Sequence, residues 1–301
     1  MEALAFSPAH ITGFFEILDE QLEPSLKGSR GAGICLSKGV KTYVNIKKSS
    51  SPELKISLNG KVLKSNQFTK FIINSFLPKN SENYYIFVNY DVQVPIGSGF
   101  GTSGASALSL SLALNEALGL GLSKIEVANI AHKAEIAFKT GLGTVIAETY
   151  GGFEVRVKPG APGIGEVKRI PINDDYSIIC LSFGPIYTKA MLSNNTLRNL
   201  INEAGKGLVD RFILKPSPEN FMILSREFSD SLNIYTNKLK KILKKIDDYG
   251  FKFSMAMVGE TIFSIARTNE VEEIVKVFHE IIGKNNRMIV CSIDKEGARI
   301  L

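Results

Sequence analysis

PIGSGFGTSGASAL, residues 95–108, sets glycines at 97, 99, 101 and 104 just ahead of an apolar run from Ala105 to Leu118. Glycine allows positive φ and lets backbone N–H groups approach an anion. Thr102, Ser103 and Gly104 open the apolar run, so the turn is expected to lead into a helix. The helix N-terminus offers unpaired N–H donors and a partial positive charge, which suit a triphosphate. Pro95, Gly97, Ser98, Gly99, Gly101, Thr102, Ser103, Gly104 and Ala105 are therefore the candidate nucleotide-binding residues. The hydroxyls of Thr102 and Ser103 add ligands for phosphate or metal.

Elimination narrows the kind of loop. Gly99, Gly101 and Gly104 match GxGxxG, but a dinucleotide site also needs a strand about twenty residues later with an acidic group for the ribose. Here that region reads as a second helix. A Walker loop needs Gly-Lys followed by Ser or Thr, whereas the pairs beginning at Gly60, Gly205 and Gly283 lead into Val, Gly and Asn. The HRD and DFG motifs of protein kinases do not occur. What remains is Pro-x-Gly-x-Gly-x-Gly-Thr-Ser-x-Ala before a helix.

Composition bounds the rest. A chain of 301 residues is long enough for two ordinary domains. The net charge of +6 suits an anionic substrate and falls short of a dedicated nucleic-acid binder. Cys35, Cys180 and Cys291 are widely spaced in apolar surroundings, which predicts buried thiols in a reducing compartment. The start MEALAF carries no basic leader, and the run Ala105–Leu122 is interrupted by Asn115 and Glu116, so a cytoplasmic protein without a membrane span is expected.

Along the chain, period-two alternation predicts strands at Ala3–Phe6, Ile34–Leu36, Thr42–Ile46 and Leu54–Leu58, then Tyr84–Val94 feeding the glycine loop. A helix is expected at Phe68–Phe76. Ser123 and Glu126 form a capping box for a helix running to about Thr140, ended by Gly141. Strands follow at Gly151–Val157 and Val167–Ile170. Composition changes near Ile170, which we take as a domain boundary. Beyond it we expect a strand Ser177–Phe183, helices Asn195–Ile213, Ser217–Ser229 and Tyr235–Asp248, strands Phe253–Val258 and Ile262–Ala266, a helix Glu270–Ile282 and a strand Met288–Ser292. Two strands, a helix and a further strand suggest a split βαβ layer of ferredoxin type. In KLKKILKK (238–245), Ile242, Leu243 and the following Ile246 form a core stripe under solvated lysines.

Together with the loop, FSPAHITGFFEI (6–17), GSRGAGICL (28–36), residues 131–163 and SMAMVGETIFSIA (254–266) give the chain a resemblance to the GHMP kinases, the superfamily of galactokinase, homoserine kinase and mevalonate kinase. Among these it resembles the archaeal pantoate kinases, which phosphorylate the primary hydroxyl of (R)-pantoate with ATP on the route to coenzyme A. The resemblance implies an α+β, two-domain GHMP kinase fold. Residues 1–170 would form an ATP-binding domain like the second domain of ribosomal protein S5, and 171–301 a ferredoxin-like domain. It implies ATP and Mg²⁺, with pantoate as the small-molecule partner, no nucleic acid and no membrane; a homodimer is left open. FSPAHITGFFEI stands where the superfamily keeps a strand and turn that contact substrate and nucleotide, which makes His10 a candidate for the substrate side.

Two departures qualify the resemblance. The superfamily's third motif is usually glycine-rich, whereas MVGETIF keeps Gly259 alone; this form resembles pantoate kinases. Many GHMP kinases also carry an aspartate seven residues before the paired glycines, and here that position is Thr144. Phosphoryl transfer tolerates the loss, because catalysis rests mainly on positioning and charge neutralisation. Ser103 and Glu135 match the superfamily's magnesium ligands, a hard oxygen pair. His132 lies three residues before Glu135 on the same helix face, so it is a candidate for substrate binding or proton acceptance. A pantoate carboxylate calls for a planar cation, with Arg156 and Arg30 as candidates, while Ser29 and Thr144 are candidates to bond the substrate hydroxyls. Arg156 would face the cleft if Phe153 and Val155 face the core. Glu148, before the paired glycines, is a further candidate to replace the missing acid. The alternatives are a GHMP kinase for homoserine, mevalonate or a sugar, and a non-catalytic nucleic-acid-binding or regulatory protein on the same scaffold.

Overall fold

The computed structural model describes residues 1–77, 83–185, 194–257, 259–283 and 288–301. Two long antiparallel strands dominate it: β1 (Glu2–Leu18) and β2 (Gly28–Lys48) pair from Glu2↔Asn45 to Leu18↔Gly28. The sequence reading expected short strands and a turn here, because period-two alternation is lost. The reason is that β1 is buried on both faces from Ala5 to Pro8 and onward, so apolar residues run together. Pro8 is accommodated at a register shift between Pro8 and Ala9.

The remaining strands of this sheet are β3 (Glu53–Leu58), β4 (Lys61–Leu63), β5 (Tyr84–Val92), β6 (Phe153–Lys158) and β7 (Glu166–Ile170). The order is β12 (Arg299–Ile300)-β1-β2-β5-β3-β4, with β6 on the other stretch of β2 and β7 beyond it. Strand β12, not foreseen from sequence, returns the chain end to β1. Four helices accompany this sheet: α1 (Gln67–Phe76), α2 (Thr102–Leu118), α3 (Lys124–Phe138) and α4 (Thr144–Tyr150). Helix α2 packs on β1, β2, α1, α3 and α4, and is buried on nearly every side. That explains its Ala/Leu/Ser composition without a polar face.

The second sheet is antiparallel, ordered β11-β8-β10-β9, from β8 (Tyr176–Pro185), β9 (Ser254–Met255), β10 (Gly259–Arg267) and β11 (Met288–Cys291). With helices between β8 and β9 and between β10 and β11, this is the ferredoxin-like order. Those helices are α5 (Asn195–Gly205), α6 (Leu208–Leu214), α7 (Pro218–Leu232) and α8 (Asn237–Asp248), then α9 (Val271–Ile282). The single helix expected over 195–213 is two, broken where Gly207 takes a φ of 76°. The strand expected at Phe253–Val258 is reduced to Ser254–Met255, and Val258 lies outside the described residues.

Phe14 of β1 and Phe153 of β6 meet Phe212 and Phe221 of α6 and α7, and Phe221 meets Phe263 of β10, with centroids 5.2–6.0 Å apart. One aromatic cluster thus ties the two sheets' layers together. The three cysteines are free and buried, as expected. Leu239, Ile242, Leu243 and Ile246 of α8 are buried beneath exposed lysines. Among the described residues no helix is long and apolar enough to cross a membrane.

Candidate active site

The glycine loop has the backbone its sequence predicts. Gly97, Gly99 and Gly101 have φ of 72°, 85° and 64°, in the left-handed region that favours glycine. Helix α2 then begins at Thr102 with Gly101 as N-cap and no side-chain cap, so its first N–H groups carry no side-chain partner. Both halves of the chain brace the loop. His10 N–H donates to Phe100 O (3.0 Å), and Thr261 Oγ1 donates to Ser98 O (2.7 Å). Gly259, the surviving glycine of the third motif, lies so close to Ser98 that a Cβ there would collide with the loop backbone.

Carboxylates gather behind the loop. Glu135 of α3 accepts from Thr140 Oγ1 at 2.6 Å through Oε1, while Oε2 is buried without a partner. Burial raises its pKa, and the hydroxyls of Thr140 and Ser103 partly offset this. Ser103 Oγ donates to Thr140 O at 3.4 Å. Glu148 of α4 is fully buried with both oxygens unpartnered, and burial followed by the nearby charge of Glu135 holds its pKa well above the usual range. A Cβ on Gly104 would stand 2.9 Å from Glu148 Oε2 and 3.3 Å from Glu135 Oε2, so both orphaned oxygens flank the first turn of α2.

The other end of the site is paired. Arg156 Nη1 donates to Glu154 Oε1, and His10 Nε2 lies 2.9 Å from the same oxygen. His10 Nδ1 is 3.3 Å from Thr12 Oγ1. Burial lowers the His10 pKa, and its bond to Glu154 acts the other way. All three side chains are at most 1% exposed. Arg156 Nε remains unpartnered, and it sits beneath Gly143, where a Cβ would lie 2.8 Å from it and would collide with Ser29 Oγ.

The turn between α3 and α4 covers both ends. Helix α3 ends at Phe138 with Lys139 as its left-handed C-cap, so Gly141 is not the cap that the sequence suggested. Gly141 is glycine because a Cβ there would occupy the place of Glu135 Oε2. Thus Thr140–Gly143 lies against Glu135 through Gly141 and against Ser29 and Arg156 through Gly143.

The structure brings Ser29, Thr144, Arg156, Ser103 and Glu135 around this turn and separates Arg30 from them. Strand alternation puts Arg30 on the opposite face of β2, where it meets Asp210 (2.5 Å), Glu16 (3.6 Å) and Val157 O (3.0 Å). Of the two candidates for the pantoate carboxylate, Arg30 therefore lies apart from Ser29 and Arg156. His132 is buried, with Nε2 3.0 Å from Lys27 O and 3.2 Å from Pro24 O. Burial lowers its pKa, and its bonds to these two carbonyls act the other way. Thr144 opens α4, with its methyl against Gly101. Both faces of β6 are buried, so Arg156 does lie opposite Phe153 and Val155, but under cover. Glu154 was missed from sequence, although its two-residue spacing from Arg156 in a strand already placed both on one face.

Residues 67–152 match the model of the GHMP kinases N-terminal domain. The chain is 34% identical over 292 residues to the pantoate kinase of Methanocaldococcus jannaschii, covering 96% of this chain and 99% of that one. It is 32% identical over 273 residues to the pantoate kinase of Thermococcus kodakarensis, covering 89% of each. A solved phosphotransferase related to the CoA biosynthesis pathway superposes with a TM-score of 0.87 at 30% identity, over 100% of this chain and 99% of that one. A homoserine kinase from Cytophaga hutchinsonii shares the fold at a TM-score of 0.73 and 15% identity, over 100% of this chain and 97% of that one. With an uncapped helix behind a braced glycine loop and relatives matched along nearly their whole length, the chain belongs to the pantoate kinases of the GHMP superfamily.

Proposed function

We propose that the protein transfers the γ-phosphoryl group of ATP to the primary hydroxyl of pantoate, with residues 1–170 as the ATP-binding domain and 171–301 as a second domain bracing the loop. One observation carries the reading: the single turn Thr140–Gly143 touches the orphaned oxygen of Glu135 on one side and Ser29 with Arg156 on the other. A phosphate end and an anion-recognising end thus lie one turn apart, as transfer between bound partners requires.

The residues fit the groups such a reaction uses. The first N–H groups of α2 carry no side-chain cap and can meet phosphate oxygens, and the unpartnered oxygen of Glu135 beside Ser103 suits a hard divalent cation. Bound there, Mg²⁺ would neutralise charge on the β- and γ-phosphates. Ser103 and Glu135 hold it in our reading. Arg156, with Ser29, takes the pantoate carboxylate; because it lies beneath Gly143, the carboxylate reaches it with the Thr140–Gly143 turn displaced. Glu154 orients the guanidinium. His132 acts as a positioning residue, fixing the carbonyls of Pro24 and Lys27 at the entrance to β2 and so the place of Ser29. Thr144 offers a hydroxyl to the acceptor and no base. The loose transition state needs no early proton removal.

The test is ATP-dependent phosphorylation across pantoate, homoserine, mevalonate and galactose. Turnover of pantoate alone is expected. Equal turnover of mevalonate, or none of pantoate, overturns the assignment.

A further inference from the structure

Helix α4 was not visible in the sequence, and it presents the least satisfied side chain near the loop. Glu148 is 0% exposed, and neither carboxyl oxygen has a hydrogen-bond partner. A buried carboxylate without partners is costly, and removing its charge with a proton would still leave an O–H donor and a carbonyl unpaired. The aim of the side chain is unusual as well. A Cβ on Gly101 would stand 2.8 Å from Oε1, and one on Gly104 would stand 2.9 Å from Oε2, so the carboxyl lies along the first turn of α2. That is where the loop's N–H groups would hold an anion. Two carboxylates and a polyphosphate cannot share this place without a cation between them. Glu135 Oε2, also orphaned, faces the same point at Gly104, and the Ser103 hydroxyl stands at the next position of the helix.

We propose that Glu148 is a second carboxylate ligand of the divalent cation, so that Ser103, Glu135 and Glu148 hold it together, with Glu148 replacing through the metal the acid absent at Thr144. Thr144 and Glu148 are four residues apart on α4, hence on one face, and both meet Gly101. An acid lost at the first turn is thereby supplied from the second. Two carboxylates with substrate phosphates and water form an ordinary octahedral oxygen set for Mg²⁺. The inference rests on the kinase reading of the site.

The test uses the full chain and Mn²⁺ as the probe, without any turnover. Free Mn²⁺ is titrated by electron paramagnetic resonance against the nucleotide-free wild type, Glu148→Gln and Glu135→Gln. The affinity of a non-hydrolysable ATP analogue is then measured with and without Mn²⁺. Glu148→Gln keeps the size of the side chain, and its melting curve reports folding. Both variants are expected to bind Mn²⁺ about 10- to 100-fold more weakly than wild type, and Glu148→Gln to lose most of the Mn²⁺-dependent gain in analogue affinity. Glu148→Gln binding Mn²⁺ as tightly as wild type, while Glu135→Gln does not, overturns the proposal and leaves the kinase reading standing. Failure of the wild type to bind Mn²⁺ also overturns it. Absence of pantoate turnover in the substrate panel is a separate result and speaks against the kinase reading itself.

Discussion

The two ends of the site handle buried charge in opposite ways. Behind the glycine loop, Glu135 and Glu148 keep three carboxyl oxygens without partners, and each carboxyl has its pKa raised by burial. Under Gly143, by contrast, the Arg156 guanidinium is matched by Glu154, which also engages His10. The first arrangement is incomplete as protein, and in our reading a cation would complete it. The second is held in shape by the pairing at Glu154 Oε1, with Arg156 Nε and Glu154 Oε2 left without partners. Desolvation explains why both cannot be judged by burial alone: a buried ion pair holds itself, whereas a buried carboxylate pair needs an outside charge.

The strongest way to break this contrast is at the metal end. Ser103→Ala and Glu135→Gln should each lower turnover by roughly 10²-fold or more, about 3 kcal/mol, while the protein still folds. Steady-state kinetics at saturating ATP and metal check this, and near-normal turnover in either variant would misplace the metal.

At the paired end, removal of Arg156 should cost both function and stability. Arg156→Ala should weaken kcat/KM for pantoate by roughly 10- to 150-fold, as expected for loss of a charge-assisted bond, with ATP affinity unchanged. It also strands Glu154, so a stability loss of about 3–5 kcal/mol is expected from denaturant melts. Combining Arg156→Gln with Glu154→Gln should restore most of the stability and none of the pantoate use. If the double variant also restores pantoate use, Arg156 is a packing residue.

The smallest effect concerns pH. Burial holds both His10 and His132 below their ordinary value of 6.5. A group depressed in the folded state takes up its proton first in the unfolded chain, so the stability is fully present above about pH 6.5 and is lost as pH falls through the folded values. His10 faces Glu154, Arg156 and Thr12, and His132 faces the carbonyls of Pro24 and Lys27. The contribution of these two histidines to the melting temperature should be level from pH 8 to 6.5 and decline below it, while the raised carboxyls of Glu135 and Glu148 act in the opposite sense, adding stability as pH falls through their folded values. Replacement of His132 by Asn should flatten part of the decline, and a decline unaltered in both His10 and His132 variants would assign it elsewhere.

What could be read from the chain alone depends on near neighbours. The positive φ of Gly97, Gly99 and Gly101, the start of α2 and the Ser123–Glu126 capping box follow from residues within four positions of one another. So does the stripe of Ile242, Leu243 and Ile246. Long-range pairing decided the rest. Strand β1 and the Gly28–Leu36 stretch of β2 bury both faces in the fold, which erases there the alternation that the Thr42–Ile46 stretch keeps. Arg30 and Arg156 part company because Gly31 pairs with Arg156, a register 125 residues apart that puts the neighbouring Arg30 on the far face. Seven-residue α4 shows no period of its own and is held by burial of Val145 to Thr149. The meeting of Glu148 with Glu135 at Gly104 therefore belongs to the tertiary structure, since no spacing in the chain encodes which buried carboxyls will share a point in space.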